Sequence, residues 1–257
     1  MLKLESNNNK ITIYDSDAFI QLEFLFQPIV DLKTKKIKHL EILSKVLSES
    51  GETYNNEEFF SNADDEFIKL VSLHQLKYCS IKKIRVPVTI NLTLSCLEDR
   101  SFLKQVTELN KVNFGIEITE INCDLRSLRL KNNLKFLKRH NVNLFLDDYF
   151  HKNDAANLTL GFIDWDYIKI DKSFLYYNFD DVRSLDHLMS VISPYANKRL
   201  ILEGVETALQ HEALRNFDVL VQGFYYSPPQ SWDEINKLLL LNKNSSYDKN
   251  KKITEQH

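Results

Sequence analysis

Seven positions carry side chains that can bind a divalent metal or move a proton, and each lies at or just after the end of a short apolar segment. They are Glu41, Asn91, Glu117, Asp147 with Asp148, Lys169, Glu203 and Gln222. Carboxylate and amide oxygens are hard ligands, which suit Mg²⁺ or Mn²⁺ better than zinc. Each position alone has a structural explanation, such as a helix N-cap for the Asp pair or a surface ion pair between Lys169 and Asp171. Because such residues recur at every predicted strand end, a shared metal-binding or catalytic site explains them better than separate structural roles.

The adjacent carboxylates of Asp147 and Asp148 allow one side chain to bridge two ions while the other holds the second. Two ions about 3.5–4 Å apart are the usual device for in-line phosphoester hydrolysis. Lys169, directed at the same centre, could orient the attacking water or stabilise charge on the phosphorane. These residues predict a two-metal phosphoesterase and leave its substrate open. A barrel enzyme that handles a metal-bound enolate would need a different ligand spacing.

Eight short β-rich segments must position these residues, and helical patterns separate most of them. The segments are Leu25–Asp31, Ile37–Leu43, Val86–Leu92, Phe114–Ile118, Val142–Leu146, Tyr167–Ile170, Leu200–Leu202 and Val219–Val221. The first two are joined by a Lys-rich turn and predict a hairpin, and Phe67–Ile81 has one apolar helical face. Thr207 with Gln210, and Ser231 with Glu234, predict capping boxes. This alternation predicts an α/β barrel whose strand ends gather on one face.

Composition narrows the class of protein. The chain has 257 residues, 33 Lys+Arg against 36 Asp+Glu, and a formal net charge of −3, so DNA is not an expected partner. The longest apolar run near the end, Leu238–Leu241, is far shorter than the roughly 18 residues that span a membrane, so a membrane is not expected either. Three cysteines without CxxC spacing fit a reducing compartment, the cytoplasm. Five glycines cannot build a glycine-rich phosphate loop. We expect a leader or edge segment over residues 1–20, one domain over 21–242 and a disordered tail over 243–257.

The strand-end motifs, in their order, resemble those of EAL domains, the bacterial cyclic di-GMP phosphodiesterases, over about residues 22–240. They read FQPIVD from Phe26, LEILSK from Leu40, NLT from Asn91, EITE from Glu117, LDDY from Leu146, DYIKIDKSF from Asp166, EGVET from Glu203 and VQGF from Val221. The resemblance implies a TIM-like (β/α)8 barrel with an antiparallel first strand. It also implies hydrolysis of cyclic di-GMP to linear pGpG with two Mg²⁺ or Mn²⁺ ions.

The resemblance assigns roles position by position. Glu41, Asn91, Glu117 and Asp147 would hold one metal, and Asp147 and Asp148 the second. Lys169 and Glu203 would act at the water, with Glu206 and Gln222 in support. Gln27, Leu43, Asp171 and Pro229 match positions that contact the dinucleotide, and Lys45 stands where the family has a phosphate-binding Arg.

The sequence departs from the family most clearly after the Asp pair. Where the family has Phe-Gly-Thr-Gly, this chain has the glycine-free, longer segment Tyr149–Asn153, and glycine's backbone freedom is lost there. In the family this loop positions the second metal, is braced by the residue matching Glu120 and contributes to the dimer. We therefore expect slower turnover and a weakened homodimer. His151 is a candidate compensating ligand, but its position favours an exposed loop histidine. The alternative hypothesis is a catalytically silent regulator that binds cyclic di-GMP or a protein partner, and in either case a protein partner could supply the input signal.

Overall fold

The computed structural model describes residues 3–7, 9–15, 18–109, 112–149, 154–178 and 181–240. Its strands are β1 (Lys3–Asn7), β2 (Lys10–Asp15), β3 (Ala18–Asp31), β4 (Ile37–Leu47), β5 (Val88–Thr93), β6 (Phe114–Glu120), β7 (Asn143–Tyr149), β8 (Trp165–Ile170), β9 (Ala196–Leu202) and β10 (Leu220–Val221). The expected tail over 243–257 and the candidate ligand His151 lie outside the described residues.

Strands β3 to β10 close into an eight-stranded barrel. Neighbouring strands from β4 to β10 pair in parallel. Strand β3 closes the ring because it pairs antiparallel with both β4 and β10. The predicted TIM-like barrel with an antiparallel first strand is confirmed.

The first strand is longer than the sequence predicted. It begins at Ala18 rather than Leu25, because its first half pairs outside the barrel with β2, which in turn pairs with β1. Ile11 and Ile13 of β2 are buried and join the main hydrophobic core. The N-terminal segment is therefore an antiparallel extension of the sheet at the barrel rim.

Helices cover the outside of the barrel between the strands. They are α1 (Asn56–Ser61), α2 (Asp65–Lys82), α3 (Arg100–Glu108), α4 (Leu128–Arg139), α5 (Asp154–Thr159), α6 (Lys172–Asn178), α7 (Val182–Ile192) and α8 (Ala208–Leu214), with 3₁₀ turns at Leu94–Glu98 and Ser193–Tyr195 and a last helix over 232–240. Both predicted capping boxes form, at Thr207 with Gln210 and at Ser231 with Glu234. Among the described residues, none of these helices is both long and apolar enough to cross a bilayer.

The barrel interior has an apolar layer directly below the polar one. Residues two apart on a strand share a face, so each polar strand-end residue has an interior neighbour one pleat lower. These lower neighbours include Ile29, His39, Phe145, Tyr167, Ile201 and Leu220, which pack together in the barrel. Gly115 makes room for them, since a Cβ there would lie 2.5 Å from the Phe145 ring. This packed floor holds the polar layer at one end of the barrel.

Candidate active site

Lys169 lies at the centre of the polar layer and contacts four carboxylates. Its side chain comes from β8 and is 1% exposed. The Nζ atom lies 2.6 Å from Glu117, 2.7 Å from Asp147, 2.9 Å from Glu203 and 3.3 Å from Glu41. The structural alternative of a surface ion pair with Asp171 is therefore wrong. Four strands bring their acidic ends to one buried ammonium, because parallel strands end at the same face of the barrel.

Amide side chains hold the Glu41 carboxylate in place. The Asn91 amide donates to Glu41 Oε1 at 3.0 Å, and the Gln222 amide donates to Glu41 Oε2 at 2.6 Å. Gln222 also donates to Gln27 Oε1 at 3.1 Å, and Gln27 donates to the carbonyl of Ser227 at 3.3 Å. The two glutamines thus tie the antiparallel strand β3 to the loop after β10. Glu41 consequently has a fixed orientation at the site.

Three buried oxygens in this layer have no hydrogen-bond donor among the described residues. They are Asn91 Oδ1, Glu117 Oε1 and Gln222 Oε1, whereas Asp147 Oδ1 has the Lys169 ammonium at 2.7 Å. A buried acceptor without a partner costs about 1–3 kcal/mol, so native structures retain such groups for a reason. An amide oxygen and carboxylate oxygens in one place form the donor set of a hard divalent cation. The residues present therefore fit a metal site.

A second oxygen cluster lies beside the first. Ligand atoms of Asp147, Asp148 and Glu203 all lie within 4.8 Å of one another, which is close enough to share one ion. Asp148 has φ +46°, a left-handed conformation that non-glycine residues enter at a cost. The β7–β8 pairing shifts register between Leu146 and Tyr149, so this residue lies in a bulge. The bulge lets both carboxylates of the Asp pair face the same region.

Burial and mutual repulsion shift the acidity of these groups. Burial raises the pKa of Glu203 to about 8, and burial together with the Asp147 charge raises the pKa of Asp148 to about 6. Burial and the Glu41 charge raise the pKa of Glu117 well above its usual value. Burial alone would also raise the pKa of Glu41, but Lys169 and the amide hydrogen bonds lower it.

In Lys169, by contrast, the surroundings favour the charged form. Burial disfavours its charge, but the surrounding carboxylates, Asp147 first, raise its pKa well above the ordinary value. One ammonium cannot neutralise the charges of the four carboxylates around it, so additional positive charge would stabilise this layer.

A cleft of about 420 Å³ opens beside the polar layer. Leu43 and Glu120 line it together with Glu41, Asn91 and the Asp pair. The side of the cleft formed by α2 was not predicted from the sequence. There the Gln75 amide donates to Ser44 Oγ at 3.2 Å, and both residues are buried. A buried glutamine on the apolar face of a predicted helix was the available signal. The cleft could admit a ligand with polar edges.

Four predicted residues lie apart from the cluster around Lys169. Glu206 is exposed, and its backbone N–H donates to Gln210 at the start of α8. Asp171 accepts a hydrogen bond from the backbone N–H of Ser173 at 2.8 Å. Lys45 pairs across the sheet with Glu23, and Pro229 is half-buried in the loop after β10. Among the described residues, none of the four forms an ion pair or hydrogen bond with the carboxylates around Lys169, although the charge of Asp171 helps to raise the pKa of Asp148.

Comparisons with known proteins agree on one family. The family described as EAL domain matches residues 16–229. A relative from Escherichia coli (strain K12), "Probable cyclic di-GMP phosphodiesterase PdeI", is 24% identical in an alignment of 245 residues that covers 85% of this chain and 31% of the relative. The chain therefore spans less than a third of that curated relative.

Solved structures of EAL domains share the fold. An EAL domain protein from Listeria monocytogenes EGD-e has a TM-score of 0.69 at 23% identity, covering 85% of this chain and 92% of that one. The EAL enzyme Bd1971 in its cAMP-bound form has a TM-score of 0.70 at 21% identity, covering 85% and 66%. An EAL protein from Vibrio cholerae O395, bound to c-di-GMP, has a TM-score of 0.65 at 19% identity, covering 82% and 92%.

Proposed function

The chain belongs to the EAL domain family, and on that basis we propose that it is a metal-dependent phosphodiesterase that hydrolyses cyclic di-GMP to linear pGpG. The observation that carries the proposal is the polar layer, in which the predicted metal-binding residues meet and three buried oxygens have no hydrogen-bond donor among the described residues. The name of the E. coli relative and the c-di-GMP bound to the V. cholerae structure support the choice of substrate.

The proposed first ion is held by Glu41, Asn91, Glu117 and Asp147, and the second by Asp147 and Asp148. The structure supports adding Glu203 to the second set, because its carboxylate lies within ligand-sharing distance of both aspartates. When bound, Mg²⁺ or Mn²⁺ would supply water activation and neutralise the charge of the phosphate.

The chain's own residues would orient the reactants. Lys169 stays protonated among its carboxylates, so it would act as a fixed hydrogen-bond donor to the water or the phosphate oxygen and not as a base. Burial raises the pKa of Glu203 to about 8, so it would serve as a base for the water only when bound ions stabilise its charged form. Glu206 and Gln222 would support these two residues, the latter through its bond to Glu41.

The substrate would lie over the polar layer. Gln27, Leu43, Lys45, Asp171 and Pro229 are the proposed contacts to the dinucleotide, of which Leu43 lines the cleft. Glu120, at the same cleft, would brace the loop after Asp148. We further propose that a homodimer is weakened by that loop. Cys79, Cys96 and Cys123 are free thiols, which supports work in a reducing compartment such as the cytoplasm.

Purified protein incubated with cyclic di-GMP tests the proposal. We expect pGpG to appear by chromatography with Mg²⁺ or Mn²⁺, and to be absent with a chelator. Glu41→Gln should lose this activity while keeping its fold, because the amide preserves the shape and removes the ligand charge. No product with either metal would contradict an enzymatic function.

One observation favours the alternative of a silent regulator. Asp148 occupies a left-handed conformation, so the second ion would depend on a strained residue. In that case cyclic di-GMP binds without turnover, and the biological effect survives Glu41→Gln in a complementation test. A phosphodiesterase would lose its effect with this variant.

A further inference from the structure

Helix α4 carries a concentration of positive charge that the active site does not use. Its sequence, LRLKNNLKFLKR, contains five cationic side chains and no acidic one. Leu130, Asn133 and Leu137 are buried against the barrel, whereas the cationic side chains are exposed. The net charge of −3 averages over the whole chain and does not reveal this asymmetry.

Two adjoining cavities flank the helix and share Lys135. One, of about 430 Å³, is lined by Arg100, Arg129, Asn132, Asn133, Lys135 and Arg139. The other, of about 640 Å³, includes Lys131, Lys135, Lys138, Lys198 and Phe162 in its lining. We call these residues together the α4 basic face. The cationic groups thus form one connected surface through Lys135, and Asp164 and Asp166 are the acidic residues that also line it.

Arg100 is held in position on this face. Its guanidinium lies 3.6 Å from the centre of the Phe136 ring and donates to Asn133 Oδ1 at 3.1 Å. Asn133 is itself fixed, because its amide donates to the carbonyl of Leu97 at 2.8 Å. A guanidinium already fixed by stacking loses little freedom when it binds an anion.

Most of these cations have no acidic partner among the described residues. Within the described part of the chain, no carboxylate pairs with Arg100, Arg129, Lys131, Lys135 or Arg139. Lys138 pairs with Asp164 at 2.8 Å, and Lys198 approaches Asp166 at 3.7 Å. Five unpaired cations along one helix and its neighbour repel one another, so an anionic ligand would stabilise them.

We propose that the α4 basic face binds single-stranded nucleic acid through its phosphate backbone. Lys131, Lys135 and Lys138 follow one another on the helix at intervals of four and three residues, about 6 and 4.5 Å along the axis, which suits a chain of phosphates. Phe162 is 62% exposed in the second cavity and offers a ring on which a base can stack.

The cavity chemistry favours this occupant over an acidic protein or an anionic membrane. Amide side chains at Asn132, Asn141, Asn143 and Asn197 offer both donors and acceptors to bases and sugars. An acidic peptide offers carboxylates to the cations but no nucleobase to stack on Phe162. A membrane surface would require the cations to project from a convex or flat face, whereas here they line concavities.

The α4 basic face is separate from the polar layer. Asn143 and Asp166, which line the second cavity, lie at the beginnings of β7 and β8, while Asp147 and Lys169 lie near their ends. The two sites therefore occupy different regions of the barrel, and this inference is independent of the proposed phosphodiesterase activity.

The test measures binding of a 5′-labelled, mixed-sequence 12-nucleotide RNA, and of the matching DNA, to the full chain by fluorescence anisotropy. Chelator is present throughout, which keeps metal-dependent contacts of the cleft out of the measurement. We expect binding at 50 mM salt that weakens steeply toward 250 mM, because phosphate neutralisation releases counterions. The RNA and DNA arms show whether the ribose hydroxyl contributes.

The variant Arg129→Gln/Lys135→Gln should weaken binding by about tenfold or more and lower the slope of log K against log salt by about 1.4. The matched control Lys77→Gln/Lys237→Gln removes the same charge elsewhere on the exposed surface and should change affinity by less than about twofold. Phe162→Ala should weaken the mixed-sequence oligomer by about fivefold and leave an abasic oligomer unchanged.

Three results would overturn the inference. The first is no binding of either oligomer at 50 mM salt. The second is an equal effect of the test and control pairs. The third is binding of polyglutamate, or of vesicles rich in anionic lipid, as tight as that of the oligomers and equally sensitive to Arg129→Gln/Lys135→Gln. That result would assign the face to an acidic protein or a membrane.

Discussion

Lys169 Nζ and Glu117 Oε2 lie 2.6 Å apart at the centre of the barrel, and neither side chain is appreciably exposed. Glu117 comes from β6 and Lys169 from β8, so the contact spans the strand β7 that supplies Asp147. A buried charge pair is costly to break, because removing one partner leaves the other uncompensated. In this layer the ammonium holds together carboxylates that would otherwise repel one another.

Replacing this ammonium should make the fold depend on metal. We predict that Lys169→Met lowers the free energy of unfolding by about 3–5 kcal/mol in chelator, since four carboxylates lose their common partner. Mn²⁺ should restore much of that stability, because an ion that binds only the folded state adds RT ln(1 + [L]/Kd). Urea unfolding with and without Mn²⁺ measures both effects.

Lys69 provides the matched control for this variant. It is also buried and pairs with Glu66 and Asp99, at 2.9 Å from the latter, but lies outside the polar layer. Lys69→Met should lose stability without any Mn²⁺-dependent recovery beyond that of the wild type. Equal Mn²⁺ responses in the two variants would contradict a metal-binding role for the polar layer.

Variants of Asp148, which lies in the bulge, separate the cost of its backbone conformation from its role as a metal ligand. Asp148→Gly should be more stable than Asp148→Ala by about 0.5–1 kcal/mol, because glycine enters the left-handed region without a Cβ penalty. Asp148→Asn tolerates the same conformation but loses the charge, so it should fold normally and bind the second ion more weakly. Thermal unfolding measures the strain, and Mn²⁺ titration measures the binding of the second ion. Equal stability of the Gly and Ala variants would show that the backbone at position 148 is not strained.

The sequence located the strands and the acidic positions because both depend on local pattern. An apolar segment ending in a polar residue is visible at Phe145–Asp147 or Ile201–Glu203 without a structure. The early start of β3 was not visible, because its first half is stabilised by pairing with β2 rather than by its own pattern. The left-handed backbone at Asp148 depends on a bulge in the β7–β8 pairing, which is a property of the closed barrel.

His39 should make the fold acid-sensitive. It is 5% exposed, packs against Phe145 and Tyr167, and its Nδ1 has no hydrogen-bond partner among the described residues. Burial, aided by the charges of Lys198 and Lys38, lowers its pKa from 6.5 to about 4. Between these values the unfolded chain binds a proton that the folded chain does not, so stability is full above pH 6.5 and falls as the pH drops toward 4.

The expected loss is about 1.4 kcal/mol per pH unit, or about 3 kcal/mol over the window. His39→Phe should flatten this decline, as measured by urea unfolding at pH 7, 6, 5 and 4. The same change at exposed His187 is the control and should leave the slope as in the wild type. A His39→Phe protein with an unchanged acid slope would show that the imidazole takes up a proton in the folded barrel.

Lys45 should limit the affinity for the substrate. We predict that Lys45→Arg lowers KM for cyclic di-GMP, because a guanidinium offers a phosphate two donors where an ammonium offers a point charge. The value of kcat should change little, since the contact would exist in both the ground state and the transition state. Steady-state kinetics separate the two constants, and a large fall in kcat at constant KM would place Lys45 away from the substrate.

The number of divalent ions bound per chain tests the proposed two-metal site most directly. Native mass spectrometry with Mn²⁺ should find two ions in the wild type, one in Asp148→Asn and none tightly held in Asp147→Asn, because Asp147 belongs to both ligand sets. Electron paramagnetic resonance of the wild type should show coupled ions, as expected at a separation of about 3.5–4 Å. A wild-type protein that binds one Mn²⁺ or none at saturating metal would contradict the account.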